Sequence, residues 1–383
     1  MRAVRYHMYR HPTRRAFLAA VGAGTAALAG CLESPRGGSG AGGTPAPDEP
    51  STRSGGAASG PPTRPDALPL PWPAAEVRER AVSGGPPRDG IPSIDDPNFE
   101  SADDADSDLD PGDPVFGLAV DGDVRAYPQA ILVSHEICND VVAGRPVSVT
   151  YCPLTGTAMG FERGDTTFGV SGRLVNNNLV MYDRATETWW PQVLATAVPG
   201  PWNEDAETRS LREFRLVWTT WERWTTRHPD TRVLSRDTGF ARNYDRDPYG
   251  SYNPRRGYYA PESAPLFTSP SDDDRLPPKG VVLGARTPEG AVAFEKDRLR
   301  GERLVPGDLA GTPVLAVYDD ALDTGYVYRN PDERAFEPRE DGAVETEDGQ
   351  THAPESLPLD RVLAFDAMWF AWDGFYPDTS LHA

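Results

Sequence analysis

The segment Tyr151-Cys152-Pro153-Leu154-Thr155-Gly156-Thr157 holds the densest chemistry in the chain. A cysteine just past a strand end, before Pro and a Gly-containing turn, sits where backbone amides face a ligand. Such amides lower a thiol pKa or bind an anion. Cys152 is therefore a candidate nucleophile, and it reads equally as a small buried side chain in a tight turn. It is not part of a Cys-x-x-Cys motif, because Thr155 holds the fourth position. Upstream, a helix is predicted after Pro128, with Ile131, His135 and Cys138 on one face. That spacing offers two chemistries. One is a Cys152–His135 pair of nucleophile and base. The other is a His135, Cys138, Cys152 set for a thiophilic metal, copper or zinc. A Cys138–Cys152 disulfide, permitted in an exported compartment, would remove both.

A polar stretch follows at Ser171 to Leu179, with Arg173, Asn176 and Asn178. These side chains suit a carboxylate, a phosphate or sugar hydroxyls. Three consecutive Asn also suit a turn that needs left-handed backbone. With Tyr151, Thr155, Thr157, Asp183 and Gln192, the stretch is expected to line a cleft for a small polar ligand near the Cys152 loop. The run Asp247-Pro248-Tyr249-Gly250-Ser251-Tyr252 reads as a loop whose aromatics rim a pocket or cover an edge.

The elements that must position these residues alternate apolar and polar at period two. A hairpin is predicted from Val115 to Tyr127 around Asp121-Gly122, then a short helix, then strands at 147–151, 158–161, 167–170 and 179–182. Trp221 and Trp224 mark a helix that stops at Pro229, and Trp369 and Trp372 mark another that stops at Pro377. Strands dominate, so the expected class is α+β with a largely antiparallel sheet.

The chain also matches itself. Gly117 to Tyr127 resembles Gly284 to Phe294, and Ala143-Gly144-Arg145-Pro146-Val147 resembles Ala310-Gly311-Thr312-Pro313-Val314 at the same spacing. Trp-x-x-Trp-x-x-x-His-Pro-Asp-Thr at 221–231 recurs as Trp-x-x-Trp-x-x-x-Tyr-Pro-Asp-Thr at 369–379. The expectation is two copies of one supersecondary unit, about 110–232 and 280–383, the second shortened. Cys152 corresponds to Asp319 in that alignment.

The N-terminus carries an address. Arg14-Arg15-Ala16-Phe17-Leu18 reads as a twin-arginine signal, and Leu28-Ala29-Gly30-Cys31 as a lipobox. Residues 1–30 are then a cleaved lipoprotein signal, 31–66 a flexible Gly/Ser/Pro tether and 67–383 the globular part. Lipid on Cys31 would hold the exported chain to the outer face of the cytoplasmic membrane. Of 383 residues, 58 are acidic and 38 basic, a net charge of −20, and removing the five arginines of the signal leaves −25. That balance excludes nucleic acid as a partner. Only Lys279 and Lys296 are lysines, a pattern resembling the acidic, lysine-poor proteins of salt-adapted, haloarchaeal type.

Four motifs occur in order: Tyr-Cys-Pro-Leu-Thr-Gly-Thr-Ala at 151–158, Ser-Gly-Arg-Leu-x-Asn-Asn-Asn-Leu at 171–179, the Trp-Trp-His-Pro-Asp-Thr motif, and Asp-Pro-Tyr-Gly-x-Tyr at 247–252. Together they resemble the family catalogued as domain of unknown function (DUF) three-one-seven-nine, over roughly 110–380. The resemblance implies a common fold and frequent export, and no reaction. Pro191 between Trp190 and Gln192 departs from that family's usual Trp-Ser-Gln. Three readings remain open: a surface-anchored binding module, an enzyme using Cys152 with His135, and a structural or interaction protein of the envelope.

Overall fold

The computed structural model describes residues 59–383. The twin-arginine signal, Cys31 and most of the predicted tether lie outside the described residues. Packed chain begins ahead of residue 67: Thr63 bridges Leu211, and the Arg64 amide donates to the Ser210 carbonyl at 2.8 Å. Backbone groups brought against a buried sheet edge must be paired, and this segment pairs them. Among the described residues, no helix is long and apolar enough to cross a membrane.

Strands β1 (Pro114–Val120) and β2 (Asp123–Pro128) form the predicted hairpin, with Val120 opposite Asp123. Asp121 and Gly122 both take positive φ, 48° and 87°, as a two-residue turn of the right twist requires. A four-residue helix α1 (Gln129–Leu132) leads into the meander β3 (Ile137–Val142), β4 (Arg145–Cys152) and β5 (Thr157–Glu162). The hairpin β6 (Phe168–Val175) and β7 (Asn178–Asp183) follows, and β8 (Trp189–Pro191) pairs with β7. Two-residue β9 (Glu213–Phe214) extends the meander sheet, and β10 (Val217–Thr220) pairs with β1. Helix α2 (Trp221–Arg227) then returns the chain to β11 (Arg232–Leu234), which lies parallel to β2. A small hairpin, β12 (Gly250–Tyr252) and β13 (Arg255–Gly257), ends this part.

Beyond it come β14 (Val281–Thr287), β15 (Gly290–Glu295), α3 (Lys296–Glu302), β16 (Leu304–Leu309), β17 (Thr312–Asp319) and β18 (Thr324–Arg329). The chain closes with β19 (Arg361–Val362), β20 (Ala364–Met368), α4 (Trp369–Phe375) and β21 (Ser380–His382). The strand order β10-β1-β2-β11, extended on its far edge by Phe99–Ser101, has its parallel in β20-β14-β15-β21, where the fourth strand is again parallel to the third. The fold is α+β, strand-dominated and mostly antiparallel, as its alternating sequence requires.

Two contacts organise the packing. The Trp224 ring of α2 lies on Gly117 of β1, and the Trp372 ring of α4 lies on Gly284 of β14. A Cβ at either glycine would fall 2.2 Å from the ring. Each indole is anchored by its N–H, Trp224 to Thr231 at 3.0 Å and Trp372 to Thr379 at 3.1 Å. The second contact is a buried ion pair between β14 and β9. Arg286 donates to Glu213 at 2.7 Å and also to the Tyr376 hydroxyl and the Val193 carbonyl, both at 2.6 Å. Neither charged side chain is more than 2% exposed. Such a pair needs its spare donors satisfied to offset desolvation, and here they are.

Gly117→Ala and Gly284→Ala should each cost about 3 kcal/mol in urea unfolding, because a rigid ring blocks the added methyl. Gly301→Ala, with open space at its Cβ, should be neutral or stabilising. Equal effects at all three positions would contradict the ring-on-glycine packing.

Candidate functional site

The residues singled out around Cys152 are placed mainly in the core. Helix α1 stops at Leu132, Glu136 takes a left-handed φ of 62°, and Cys138 lies in strand β3. The expected helical face of Ile131, His135 and Cys138 therefore does not form. A Pro-started helix of one turn ends before His135, since β3 must enter the sheet beside β4. His135 is fully buried, with Nδ1–H donating to the Pro92 carbonyl at 2.8 Å. Its Nε2 accepts from the Tyr244 hydroxyl at 2.7 Å. Both ring nitrogens are thus engaged away from Cys152, and burial holds the imidazole below its ordinary pKa.

Cys152 points to the Asn177 carbonyl, 3.6 Å from Sγ, and burial pushes its thiol up to about 11. Cys138 is pushed up well above the usual thiol range by the same cause. Both cysteines are free, and they belong to different apolar clusters. Among the described residues, no group of three or more His, Cys, Asp or Glu is placed to hold a metal ion. The expected set of His135, Cys138 and Cys152 for copper or zinc is not assembled, and neither is the Cys152–His135 pair. The cause is that β3 and its neighbours carry these side chains into separate cores.

The polar residues make a satisfied network instead of a cleft. Asn178 donates to Thr155 at 3.0 Å and to Gln192 at 2.9 Å; Thr157 donates to Gln192 at 2.7 Å; Gln192 donates to Thr150 at 2.8 Å. All five are fully buried. The stretch expected as a loop at 171–179 is mostly strand, broken by a bulge after Val170 and closed by the turn Asn176-Asn177, with φ of 45° and 61°. Asn tolerates that backbone, and its amide then ties down neighbours. Asn176 donates to the Ala371 carbonyl at 3.1 Å, and Asn177 accepts from the Phe267 amide at 2.8 Å. Asp183 accepts from Trp190 at 2.9 Å and from Thr186. Arg173 is exposed at the strand paired with Ser83. Tyr151 is buried and accepts from Gln129 at 3.3 Å.

A cleft does open beside the Cys152 loop, at the far end of its turn. It encloses about 420 Å³, bounded by the ends of β1 and β10, the hairpin β12–β13, the start of β14, α3 and the end of β20. Gly156 reaches its floor with φ of 59°, and a Cβ there would meet the Tyr252 hydroxyl at 2.9 Å. One wall is aromatic: Trp218 packs edge-on to Tyr252 with ring centres 5.0 Å apart, and Tyr252 stacks on Tyr259 at 3.9 Å. The other wall is charged. Lys296 is ion-paired with Asp366, both nearly buried. Arg300 forks onto Asp323 at 2.7 and 2.8 Å and reaches Asp297 at 2.6 Å. Burial alone would raise the Asp323 carboxyl, but Arg300, Lys296 and the Tyr318 hydroxyl hold it below the ordinary range.

Six buried side-chain N or O atoms lack a hydrogen-bond partner among the described residues, and three belong to residues lining this cleft: Thr219 Oγ1, Tyr252 OH and Arg255 Nε. Arg255 spends one N–H on the Lys279 carbonyl at 2.6 Å and has no carboxylate in ion-pairing reach; burial lowers its pKa. Lys279 is fully buried and donates to Tyr258 O, to Ser263 Oγ at 2.7 Å and to Ala264 O at 3.1 Å. Burial, with Arg255 beside it, brings its ammonium down to about 7. Thr219, Arg255 and Lys296 were not singled out from the sequence as site residues. The one available signal was that the chain keeps only two lysines, and both are buried at or beside this cleft.

The family described as "Protein of unknown function (DUF3179)" matches residues 88–379. No curated protein and no solved structure matches the chain.

A thiol reagent at neutral pH should label neither Cys138 nor Cys152 in the folded protein and both after unfolding, read by peptide mass mapping. Rapid labelling of native Cys152 would restore it as a nucleophile. His135 also predicts a pH dependence. An unfolded imidazole takes a proton below about 6.5, whereas the buried one resists, so its contribution is present above that pH and is lost as pH falls. The stability advantage of wild type over His135→Gln should therefore shrink in urea unfolding below about pH 6.5.

Proposed function

The chain belongs to the DUF3179 family, and we propose that it is an exported, lipid-anchored protein that binds a small polar ligand in the cleft beside the Cys152 loop. The observation that carries this reading is that Thr219, Tyr252 and Arg255, whose buried Oγ1, OH and Nε are not fully satisfied by the fold, all line one cavity. A buried polar atom without a partner costs about 1–3 kcal/mol, and folds keep few of them. Three of the six such atoms among the described residues belong to residues around one cavity, which marks that cavity as the place for a ligand. The cavity volume, 420 Å³, suits one small molecule.

Export and anchoring rest on residues 14–31, where the twin arginines precede the lipobox that ends in Cys31. The acidic, nearly lysine-free composition agrees with a salt-adapted surface outside the cytoplasm. We read the cleft as the seam between two copies of one unit. Pro114 and Thr220 pair across β1 and β10 as Val281 and Met368 pair across β14 and β20, and all four line the cavity. Gly156 and Asp323 end equivalent turns, after Cys152–Thr157 and Asp319–Thr324 pairings. A seam between diverged copies supplies two unlike walls, which favours binding of a molecule with two unlike faces. The cysteine-enzyme reading is left without its base, because His135 is committed to Pro92 and Tyr244.

The test compares two threonines. Thr219→Val removes an unpartnered hydroxyl and should leave stability unchanged or raise it by about 1 kcal/mol. Thr157→Val removes a hydroxyl that is bonded on several sides and should cost about 2 kcal/mol. A Thr219→Val loss as large as that at Thr157 would mean that the hydroxyl serves the fold, and the cleft reading would fall.

A further inference from the structure

We infer that the ligand of this cleft is a small ring-bearing anion, its carboxylate or phosphate taken by Arg255 and its ring laid along Trp218 and Tyr252. The inference rests on the binding reading above and names the ligand class for the same cavity.

Charge accounting around the cavity singles out Arg255. Lys296 is matched by Asp366, and Arg300 by Asp323 and Asp297. Arg223, at the exposed edge, donates to the backbone carbonyls of Asp320 and Ala321. Arg255, further in, has no carboxylate within ion-pairing distance and keeps a buried Nε without a partner. Its neighbour Lys279 also has none, since its ammonium is satisfied by two carbonyls and a hydroxyl. Arg255 is thus left without a paired carboxylate in a chain with 58 acids against 38 bases. A sequence so rich in carboxylates, which pairs Lys296 and Arg300 with them, has left Arg255 for an anion from outside.

The geometry of the guanidinium fits that role. The bond to the Lys279 carbonyl fixes one nitrogen, and the half-buried guanidinium lines the cavity, where a carboxylate or phosphate would engage it. Thr219 and Tyr252 line the same cavity. The aromatic wall supplies an apolar face on which a sugar or aromatic ring rests. The opposite wall limits the charge of the ligand: Asp297, Asp323 and Asp366 repel a second anionic group, so the ligand carries one.

Isothermal titration of the full chain with glucuronate, glucose 6-phosphate and glucose tests this, and the first two distinguish carboxylate from phosphate. At least one anion should bind about tenfold or more tighter than glucose, and Arg255→Gln should reduce that advantage to about twofold or less. Arg255→Lys keeps the charge and a donor for the Lys279 carbonyl. It carries the comparison if R255Q does not fold, with anion binding weakened about threefold or more and glucose binding unchanged. An anion advantage that survives in these variants overturns the inference. Glucose binding as tightly as the anions, and weakened by Thr219→Val, overturns the anion class while leaving the cleft as a binding site. No heat from any of the three at about 10 mM overturns both readings.

Discussion

A tryptophan ring lying on a glycine is the constraint from which the rest of this architecture follows. Trp224 on Gly117 and Trp372 on Gly284 leave no room for a side chain on the strand beneath. Each indole N–H is then tied to a threonine past the end of its own helix. Helices α2 and α4 are only seven residues long, too short to hold themselves in water, so this packing is what orders them. Because each helix starts directly after a strand, seating the ring also sets where that strand ends. The residues at those strand ends, Thr219 and Thr220 on one side and Asp366 and Met368 on the other, border the cleft. The Arg286–Glu213 pair, joined by Tyr376 and the Val193 carbonyl, holds β14 against β9.

Two kinds of buried polarity separate structure from site. The Thr150, Thr155, Thr157, Asn178 and Gln192 network meets its own demands, so it adds directional order to the core and asks for nothing from outside. The cleft atoms are polar, buried and unanswered. Residue type does not distinguish the two: threonine serves in both, and Thr157 differs from Thr219 only in what surrounds it. Cys152 follows the same logic. A thiol near backbone amides is activated when those amides face it in an open loop, whereas here burial dominates and keeps it protonated.

The charge distribution adds a second contrast. The chain is acidic overall, and many of its surface arginines are matched by carboxylates in exposed pairs that salt screens. Arg255 and Lys279 lie at or beside the cleft, largely withdrawn from solvent and without a carboxylate in ion-pairing reach. An unpaired cation costs least where something outside the chain can neutralise it, and the cavity is where that access exists.

Much of this was legible from residue order alone, and the reason is locality. Asp121-Gly122 specifies a hairpin turn through backbone that only a few residues tolerate, and alternating apolar residues specify strands with one buried face. The α+β, antiparallel class and the burial of the Trp helices followed from those short-range rules. The same rules misplaced His135 and Cys138, because a face of period 3.6 requires a helix that continues, and α1 ends after one turn to let β3 pair with β4. The Asn176-Asn178 stretch was visible as polar, but whether polar means binding or bonding depends on neighbours such as Phe267 and Ala371 that are far away in the chain. The cleft lay beyond such reading altogether. Thr219, Tyr252, Arg255, Lys296 and Asp366 come from separate strands, a hairpin and a helix, and no spacing links them. Sequence by itself determined many of the elements, since each depends on contacts within a few residues. Which polar atoms were left without a partner was decided only by the tertiary structure, because a missing hydrogen bond is a property of everything packed around it.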